Sequence, residues 1–226
     1  MLITLVIIGV IAALTIPNLM QKYQEQTTVK KLQKFYSNLS NAYSLAMKDN
    51  GTVTDWGMAT QNTAANNTAN AEKTYEILFK PYFKIAKICG IANTGNCIAN
   101  THYKYLNNTN WITGLNTEFY KAKLDDGSSI FWKVSNGKTL ITYYDTNGIK
   151  EPNQLGRDTF SIIIHEKGKI FPNGLTLTST SESFENTCKT GTGTGYGCAA
   201  WVVYKGNMDY LHCDGLTWKS KSCKEK

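Results

Sequence analysis

Arginine is almost absent from this sequence of 226 residues, because Arg157 is the only one among its 24 basic residues. Proteins that recognise a DNA sequence rely on the guanidinium group, which forms paired hydrogen bonds with bases and phosphates. The net charge of +7 comes instead from lysines scattered along the chain, which is typical of a solvated surface. We therefore do not expect nucleic acid to be a partner.

Sequence patterns of catalysis are also missing. There is no Gly-x-Ser-x-Gly nucleophile turn, and His165-Glu166 lacks the second histidine of a zinc-binding helix. The alternating glycines of residues 191–197 are not followed by the Lys-Ser/Thr pair of a phosphate-binding loop. Asp125 and Asp126 are adjacent, and adjacent side chains in a strand point to opposite faces. The sequence predicts that the protein is not an enzyme.

Six cysteines are present, and no two of them form a Cys-x-x-Cys pair. Pairing of nearest neighbours would close three short loops, each contributing about 2.5–3 kcal/mol by the loop-entropy relation. A Cys198–Cys213 bond and buried free thiols remain alternatives. Disulfide bonds would indicate an oxidising compartment outside the cytoplasm. The nearest-neighbour prediction is Cys89–Cys97, Cys188–Cys198 and Cys213–Cys223.

Residues 1–16 form an apolar run without a charged residue. A cleavable export signal would have basic residues before such a run, and none is present here. A simple membrane anchor needs about 20 residues to cross a hydrocarbon core of ~30 Å, whereas this run spans only ~24 Å as a helix. The segment therefore requires either lipid together with further apolar residues, or copies of itself.

Residues 18–49 contain neither glycine nor proline, and Asn50-Gly51 then supplies a helix stop. Together with the apolar run, residues 1–49 predict one helix about 74 Å long with a kink near Pro17. A helix of this length must project from a head domain, residues 50–226, that is about 40 Å across. Apolar residues recur at steps of three and four and predict the buried face, at Val29, Leu32, Tyr36, Leu39, Tyr43 and Met47.

The head domain changes character along its length. Residues 52–71 are rich in Asn, Thr and Ala and predict a loop, and residues 72–88 predict a short helical face. From residue 118 onward, alternating apolar runs separated by turns such as Asp126-Gly127 predict an antiparallel meander. We expect an α+β fold in which the sheet packs on the C-terminal half of the long helix and the C-terminal region is disulfide-bonded.

The segment LITLVIIGVIAALTIPNLMQKYQEQTTVKKLQKFYSNLSNAYSLAMKDNG, residues 2–51, closely resembles the N-terminal helix of type IV pilins and type II secretion pseudopilins. The resemblance implies that residues 1–16 sit first in the bacterial inner membrane and later in a filament core, with the helix-breaking proline at Pro17. The family's leader, cleavage glycine, methylated phenylalanine and glutamate would all fall upstream of Met1. The residues implied to form the core are Leu2, Ile3, Leu5, Ile7, Ile8, Val10, Ile11, Leu14 and Pro17.

The resemblance implies a structural subunit of a type IV pilus or a type II secretion pseudopilus. Its partners would be further copies, other pilins or pseudopilins, and an inner-membrane assembly platform, with the head in the periplasm or on the cell surface. Lysines at positions 22, 30, 31 and 34 conflict with this orientation, because basic residues favour the cytoplasmic side. A basic leader upstream would supply the opposing charges.

An alternative is a minor pilin whose head binds a carbohydrate, a surface or DNA. Aromatic rings beside lysines can stack on sugars or bases, although such rings more often belong to the core. The candidate rings are Trp56, Trp111, Trp201, Trp218 and Tyr196.

The loop after the third predicted strand has oxygen-bearing residues at a calcium-like spacing. Asp145 and Asn147 are followed by the flexible Gly148, the carbonyl of Ile149 could add a ligand, and Asp158 could return a carboxylate. The spacing differs from an EF-hand, which has glycine at its sixth position and glutamate at its twelfth. It resembles the D-x-N-G…P-N…G-x-D segment of many pilin-like proteins. We predict a possible calcium loop, with a metal-free Asx turn as the alternative.

Overall fold

The computed structural model describes residues 2–100, 102–111, 115–175 and 182–225. Its first element is one helix, α1 (Leu2–Asn50), which continues without interruption through Pro17. Gly51 follows with a left-handed φ of 75°, and its amide donates to the carbonyl of Met47 at 2.9 Å. A residue with a side chain would be strained there, so the predicted Asn-Gly stop ends the helix. The long N-terminal helix is confirmed.

The head consists of short helices arranged around one sheet. The helices and strands after α1 are, in chain order, a 3₁₀ turn (Val53–Trp56), α2 (Ala64–Thr74), a π-helical turn (Tyr75–Phe79), α3 (Lys80–Tyr82), β1 (Ile85–Gly90), α4 (Leu115–Glu118), β2 (Tyr120–Leu124), β3 (Ser129–Ser135), β4 (Thr139–Asp145), β5 (Thr159–Ile164), β6 (Ile170–Pro172), α5 (Phe184–Thr187), α6 (Cys198–Lys205) and a second 3₁₀ turn (Asp209–Leu211).

The prediction of a loop over residues 52–71 is wrong in its second part, where α2 begins. Thr63 caps this helix, since its hydroxyl accepts a hydrogen bond from the amide of Asn66 at 3.2 Å. The buried Asn70 amide makes two 2.8 Å hydrogen bonds with the backbone of Ala59. Capping and these side-chain contacts override the weak helix preference of asparagine and threonine.

The six strands form one sheet whose spatial order follows the chain from β1 to β6, and all neighbouring pairs are antiparallel. The predicted meander is confirmed. Strand β1 was not predicted. It begins near the end of residues 72–88, where a helical face was expected. Ile88 of β1 lies opposite Ala122 of β2. Pairing along the sheet edge therefore overrides the local helical pattern.

The C-terminal half of α1 packs across one face of the sheet. Phe35 stacks on Tyr144 of β4 with ring centroids 4.1 Å apart, and Leu32 and Leu39 are fully buried. The predicted apolar face is wrong at Met47, which is 37% exposed, and Ala46 is buried instead. The arrangement is the expected α+β fold, with the helix and one face of the sheet sharing a core.

The opposite face of the sheet carries a second, aromatic cluster. Tyr143 stacks on Phe131 at 5.1 Å between ring centroids, and Trp111 meets Tyr143 edge-on at 4.8 Å.

Lys121 lies opposite Phe131 in the strand register and is fully buried. Its ammonium donates hydrogen bonds to the carbonyls of Ile91, Leu115 and Phe119, the last at 2.7 Å. Carbonyl oxygens thus solvate a charge that has no acidic partner in the part of the chain that is described.

All six cysteines are paired, and the bonds are the nearest-neighbour ones. The predicted pairs Cys89–Cys97, Cys188–Cys198 and Cys213–Cys223 are confirmed, and the alternatives of a Cys198–Cys213 bond and of free thiols are wrong. Two of the three bonds lie after the sheet. They crosslink the C-terminal region around α6, which packs against α1.

Candidate functional site

The N-terminal part of α1 exposes apolar side chains before the helix reaches the core. The first buried residue of α1 is Val29 among those whose side chains are described. Ahead of it, four large apolar side chains are 51–69% exposed at steps of three, one and three residues, which places them on one helical face. This face, called the exposed stripe below, consists of Ile16, Leu19, Met20 and Tyr23.

Most of the exposed stripe is turned away from the buried face of α1. Leu39, in the centre of the buried face, follows Tyr23 by 16 residues and Met20 by 19 residues. At 3.6 residues per turn these separations leave rotations of about 160° and about 100° from Leu39. The stripe is therefore a second apolar face of the same helix, and its Met20 edge lies nearest to the head-bound face.

A groove separates the N-terminal part of α1 from the head beside this stripe. Its volume is about 740 Å³, and Met20 and Tyr23 form one edge while Met208 and Leu211 lie on the head side. His212 Nε2 lies 2.9 Å from Glu25 Oε2, which ties helix to head where close packing begins. The charged residues along the groove are of both signs, namely Glu25, Lys31, Lys150, Glu151, Arg157 and Asp158.

The apolar N-terminus of α1 is helical from Leu2 onward. Of the residues predicted to form a membrane or filament core, only Pro17 has a described side chain, and it lines the groove. Over the residues that could be searched, none of the helices combines the length and apolar character needed to cross a bilayer. The predicted core side chains that lie outside the described residues are those of Leu2, Ile3, Leu5, Ile7, Ile8, Val10, Ile11 and Leu14.

The predicted calcium loop folds around two buried carboxylates. Asp145 Oδ1 accepts hydrogen bonds from the amides of Asn147 and Gly148, at 3.1 and 2.9 Å. Its second oxygen accepts a 2.6 Å hydrogen bond from the hydroxyl of Tyr103. Asp158 accepts from the amides of Asn153 and Gln154, at 2.8 and 2.7 Å. The Asx-turn alternative thus describes the backbone of this loop well.

The two carboxylates lie close enough to affect each other. Asn147 bridges them, because its backbone amide donates to Asp145 and its side-chain amide to Asp158 at 3.3 Å. Burial and then the charge of Asp158 raise the pKa of Asp145 well above its usual range. Burial likewise raises the pKa of Asp158 to about 6. No lysine or arginine pairs with either one within the described ranges.

Two amide oxygens beside this pair are buried without a hydrogen-bond donor, Asn147 Oδ1 and Asn153 Oδ1. Asn153 is only 2% exposed, so water does not solvate this oxygen freely. Carboxylate and amide oxygens are the ligands that calcium prefers. Asp145, Asn147 and Asp158 are thus brought together, although the described residues contain no group of three or more acidic, histidine or cysteine side chains that could hold a metal ion. The Ile149 side chain is 52% exposed. Calcium binding by this set stays a prediction.

We expect 1 mM calcium to raise the thermal midpoint by about 5–10 °C if the dissociation constant is about 10 μM. A bound cation would neutralise the repulsion between Asp145 and Asp158 and use the unpaired amide oxygens. Differential scanning calorimetry of the chain with calcium or with EDTA measures the shift. Asp158→Asn should abolish it, and Asp125→Asn, which alters an exposed aspartate outside the loop, should not. An unchanged midpoint in calcium would leave the metal-free Asx turn.

Sequence reasoning missed the partners that come from distant parts of the chain. Tyr103, which binds Asp145, precedes it by 42 residues in a polar segment with no clear periodicity. The aromatic surface proposed from composition is corrected at three of its five rings, while Trp218 and Tyr196 are partly buried. Trp56, Trp111 and Trp201 are 0–3% exposed and serve the core, because large aromatic side chains gain most when buried.

One family model matches the sequence, described as a family of unknown function (DUF6613), and its match covers residues 18–168. This chain belongs to the DUF6613 family. No curated protein and no solved structure matches the chain. No pilin or pseudopilin family model matches it either, so the likeness of α1 to the pilin helix stays a prediction.

The DUF6613 match covers most of the features described above. It begins at residue 18 in α1, so it includes most of the exposed stripe, and it ends at residue 168, after β5. The acidic loop of residues 145–158 lies inside it. Strand β6, α6 and the two C-terminal disulfide bonds lie beyond it. The part of this chain that matches the family therefore comprises α1 from residue 18 onward and the first five strands.

Proposed function

We propose that this DUF6613 protein is a structural subunit that assembles into a helical filament of the type IV pilus or type II secretion pseudopilus class. The observation that carries the proposal is the exposed stripe on the part of α1 that precedes the core. Each large apolar side chain gains about 1.5–3 kcal/mol when it is removed from water. Four such side chains in one row favour coverage by another copy of the helix.

The geometry of α1 supports an open polymer. Ile16 and Leu19 are exposed and do not line the groove beside the head, so a neighbour can approach them without displacing the head. A contact between two different surfaces of identical subunits repeats indefinitely unless its rotation closes a ring, and it then gives a helical filament. The groove of about 740 Å³ beside the stripe leaves room for such a neighbour.

The disulfide bonds support a head outside the cytoplasm. Bonds of this kind persist in oxidising compartments such as the bacterial periplasm and the cell surface. The proposed subunit starts in the inner membrane and moves from lipid into a bundle of helices, both of which are apolar. Little hydrophobic free energy is gained in such a move, so other pilins and an assembly platform that performs work are its proposed partners.

Replacing Leu19 and Tyr23 together with serine should abolish filament formation. Loss of two large apolar contacts per subunit should reduce the polymerised fraction by at least about 100-fold. The measurement is the amount of the chain in filaments, taken from sheared-surface and periplasmic fractions of the native host and viewed by electron microscopy. Filaments on the surface would indicate a pilus, and filaments in the periplasm a pseudopilus.

Lys22→Ser is the matched control, because Lys22 is exposed on the same part of α1 but lies off the stripe. It should polymerise normally. Both variants should keep the unfolding midpoint of the head, since none of the three residues belongs to the core. The proposal would be contradicted if the Leu19/Tyr23 variant formed as many filaments as the wild type. It would also be contradicted if the wild-type chain never polymerised.

A further inference from the structure

The outer face of the sheet, opposite α1, contains a cleft of about 320 Å³. Its apolar floor is formed by Ile141 and Ile163, which pair across β4 and β5, and by Phe119. Ligand pockets in proteins range from about 300 to 1,000 Å³, so this cleft suits a small molecule. It is called the outer cleft below, and its position separates it from both the exposed stripe and the acidic loop.

Both hydrogen-bond donors and acceptors line the outer cleft. Lys133 Nζ lies 2.6 Å from Glu118 Oε2 on one side. Asn173 Nδ2 donates to Glu182 Oε2 at 3.1 Å on another side. Tyr196 contributes a phenol whose oxygen accepts from the indole of Trp111 at 2.7 Å. Side-chain hydrogen bonds with Tyr105 and Tyr143 also involve this phenol, which holds it in the wall of the cleft.

Ser161 supplies the least satisfied group of the outer cleft. It is 1% exposed, and its hydroxyl, although next to Tyr143, makes no well-aligned hydrogen bond in the part of the chain that is described. A buried hydroxyl without a partner costs free energy, so such groups in native proteins usually meet a ligand or an ordered water. The Ser161 hydroxyl therefore has hydrogen-bonding capacity, beyond its contact with Tyr143, that a ligand in the cleft can use.

The aromatic cluster keeps the walls of the outer cleft in place. Trp111 is edge-on to Tyr143 at 4.8 Å and to Tyr196 at 6.0 Å between ring centroids. Phe119 meets Tyr143 at 5.6 Å from another side. Interlocked rings lose little further conformational entropy when a ligand binds, which favours recognition by a preformed site.

The charges define the class of ligand. Lys133 neutralises Glu118, whereas Glu182 has no cationic partner among the described residues, so an anion would be repelled. A cationic ligand needs acceptors alone, but this cleft presents the donors of Lys133 and Asn173 as well. A hydroxyl group both donates and accepts, and it matches a wall that offers both kinds of group.

We propose that the outer cleft binds a neutral ring that carries several hydroxyl groups, such as one hexose unit. The apolar floor accommodates the carbon–hydrogen face of the ring, while Glu182, Asn173 and Ser161 bind its hydroxyl groups. This binding does not rest on filament assembly, because every residue that forms the cleft belongs to the head of a single chain.

Saturation-transfer NMR of the unassembled full chain tests the proposal with glucose, galactose, mannose and N-acetylglucosamine as probes. At least one should bind with a dissociation constant of about 1 mM, as expected for a ligand of about 12 non-hydrogen atoms. Glu182→Gln and Ser161→Ala should each weaken binding about tenfold, because the first replaces an acceptor oxygen by an amide donor and the second removes a hydroxyl group. Tetramethylammonium and methyl phosphate serve as charged probes, because the experiment detects their methyl protons, and neither should bind.

Glu166→Gln is the matched control for Glu182→Gln, since Glu166 lies outside the cleft and pairs with Lys138 at 3.7 Å. It should leave hexose binding unchanged. Ser161 is buried, so Ser161→Ala could lower the thermal midpoint and weaken binding indirectly. Glu182 is partly exposed, so Glu182→Gln should leave the fold intact and still tests the cleft. The absence of a saturation-transfer signal from every hexose at a concentration of about 50 mM would overturn the proposal, because the dissociation constant would then lie far above the expected value. So would equal binding by Glu182→Gln, or binding of a charged probe alone.

Discussion

Leu39→Ala is expected to lower the free energy of unfolding by about 2–5 kcal/mol, the range for removing a buried leucine side chain from a packed core. Leu39 is fully buried where α1 crosses the sheet. The substitution removes apolar contacts and leaves a cavity between helix and sheet that neither can close by a small movement. Urea unfolding of the full chain, monitored by tryptophan fluorescence, measures the difference.

Leu45→Ala provides the control, because it makes the same substitution in the same helix at a side chain that is 51% exposed. Its effect should stay within about 0.5 kcal/mol, as for most surface substitutions. Equal losses in the two variants would mean that α1 does not pack on the sheet through the face described here.

Lys121→Met should also destabilise the protein, by about 2–4 kcal/mol, because it leaves buried carbonyl oxygens without a donor. In the wild type the ammonium donates to the carbonyls of Ile91, Leu115 and Phe119. Methionine fills a similar volume but donates no hydrogen bond. Lys123→Met, two residues along the same strand and partly exposed, should have a much smaller effect.

The dependence on pH distinguishes this role of Lys121 from packing alone. Burial lowers the pKa of Lys121 from 10.5 to about 8. Between these two values the unfolded chain binds more protons at this residue than the folded chain, so the wild type gains stability as the pH rises. The stability difference between the wild type and Lys121→Met should therefore grow by up to about 1.4 kcal/mol per pH unit above pH 8. A constant difference from pH 7 to 10 would contradict a shifted lysine.

Local patterns in the sequence predict the long helix, the meander and the disulfide bonds. The spacing of Leu32 and Leu39 follows the helical period, and Asp126-Gly127 marks a hairpin, so both signals lie within a few residues. The bond Cys188–Cys198 closes a short loop, which makes nearest neighbours the simplest pairing. These elements depend on interactions between residues that are near in the chain.

The sites depend on contacts that no local pattern records. Lys121 and Lys123 alternate with apolar residues in β2, which is typical of a strand with one solvated face, yet Lys121 is buried under a segment from elsewhere. The outer cleft brings Glu118 and Glu182 together across 64 positions of sequence. Burial and charge pairing of this kind arise only after the sheet has formed. The sequence therefore predicts which residue types are available, but not which of them lie close together in the fold.

Two of the contacts that hold the middle of α1 come from residues that are synthesised much later than the helix. Gln33 Nε2 donates to the carbonyl of Val203 in α6 at 3.0 Å, and Glu25 meets His212 at 2.9 Å. These partners follow 170 and 187 residues after the helix residues that they contact. A nascent chain that has reached β4 can therefore stack Phe35 on Tyr144, but it holds α1 at these two further points only after α6 and His212 have been made.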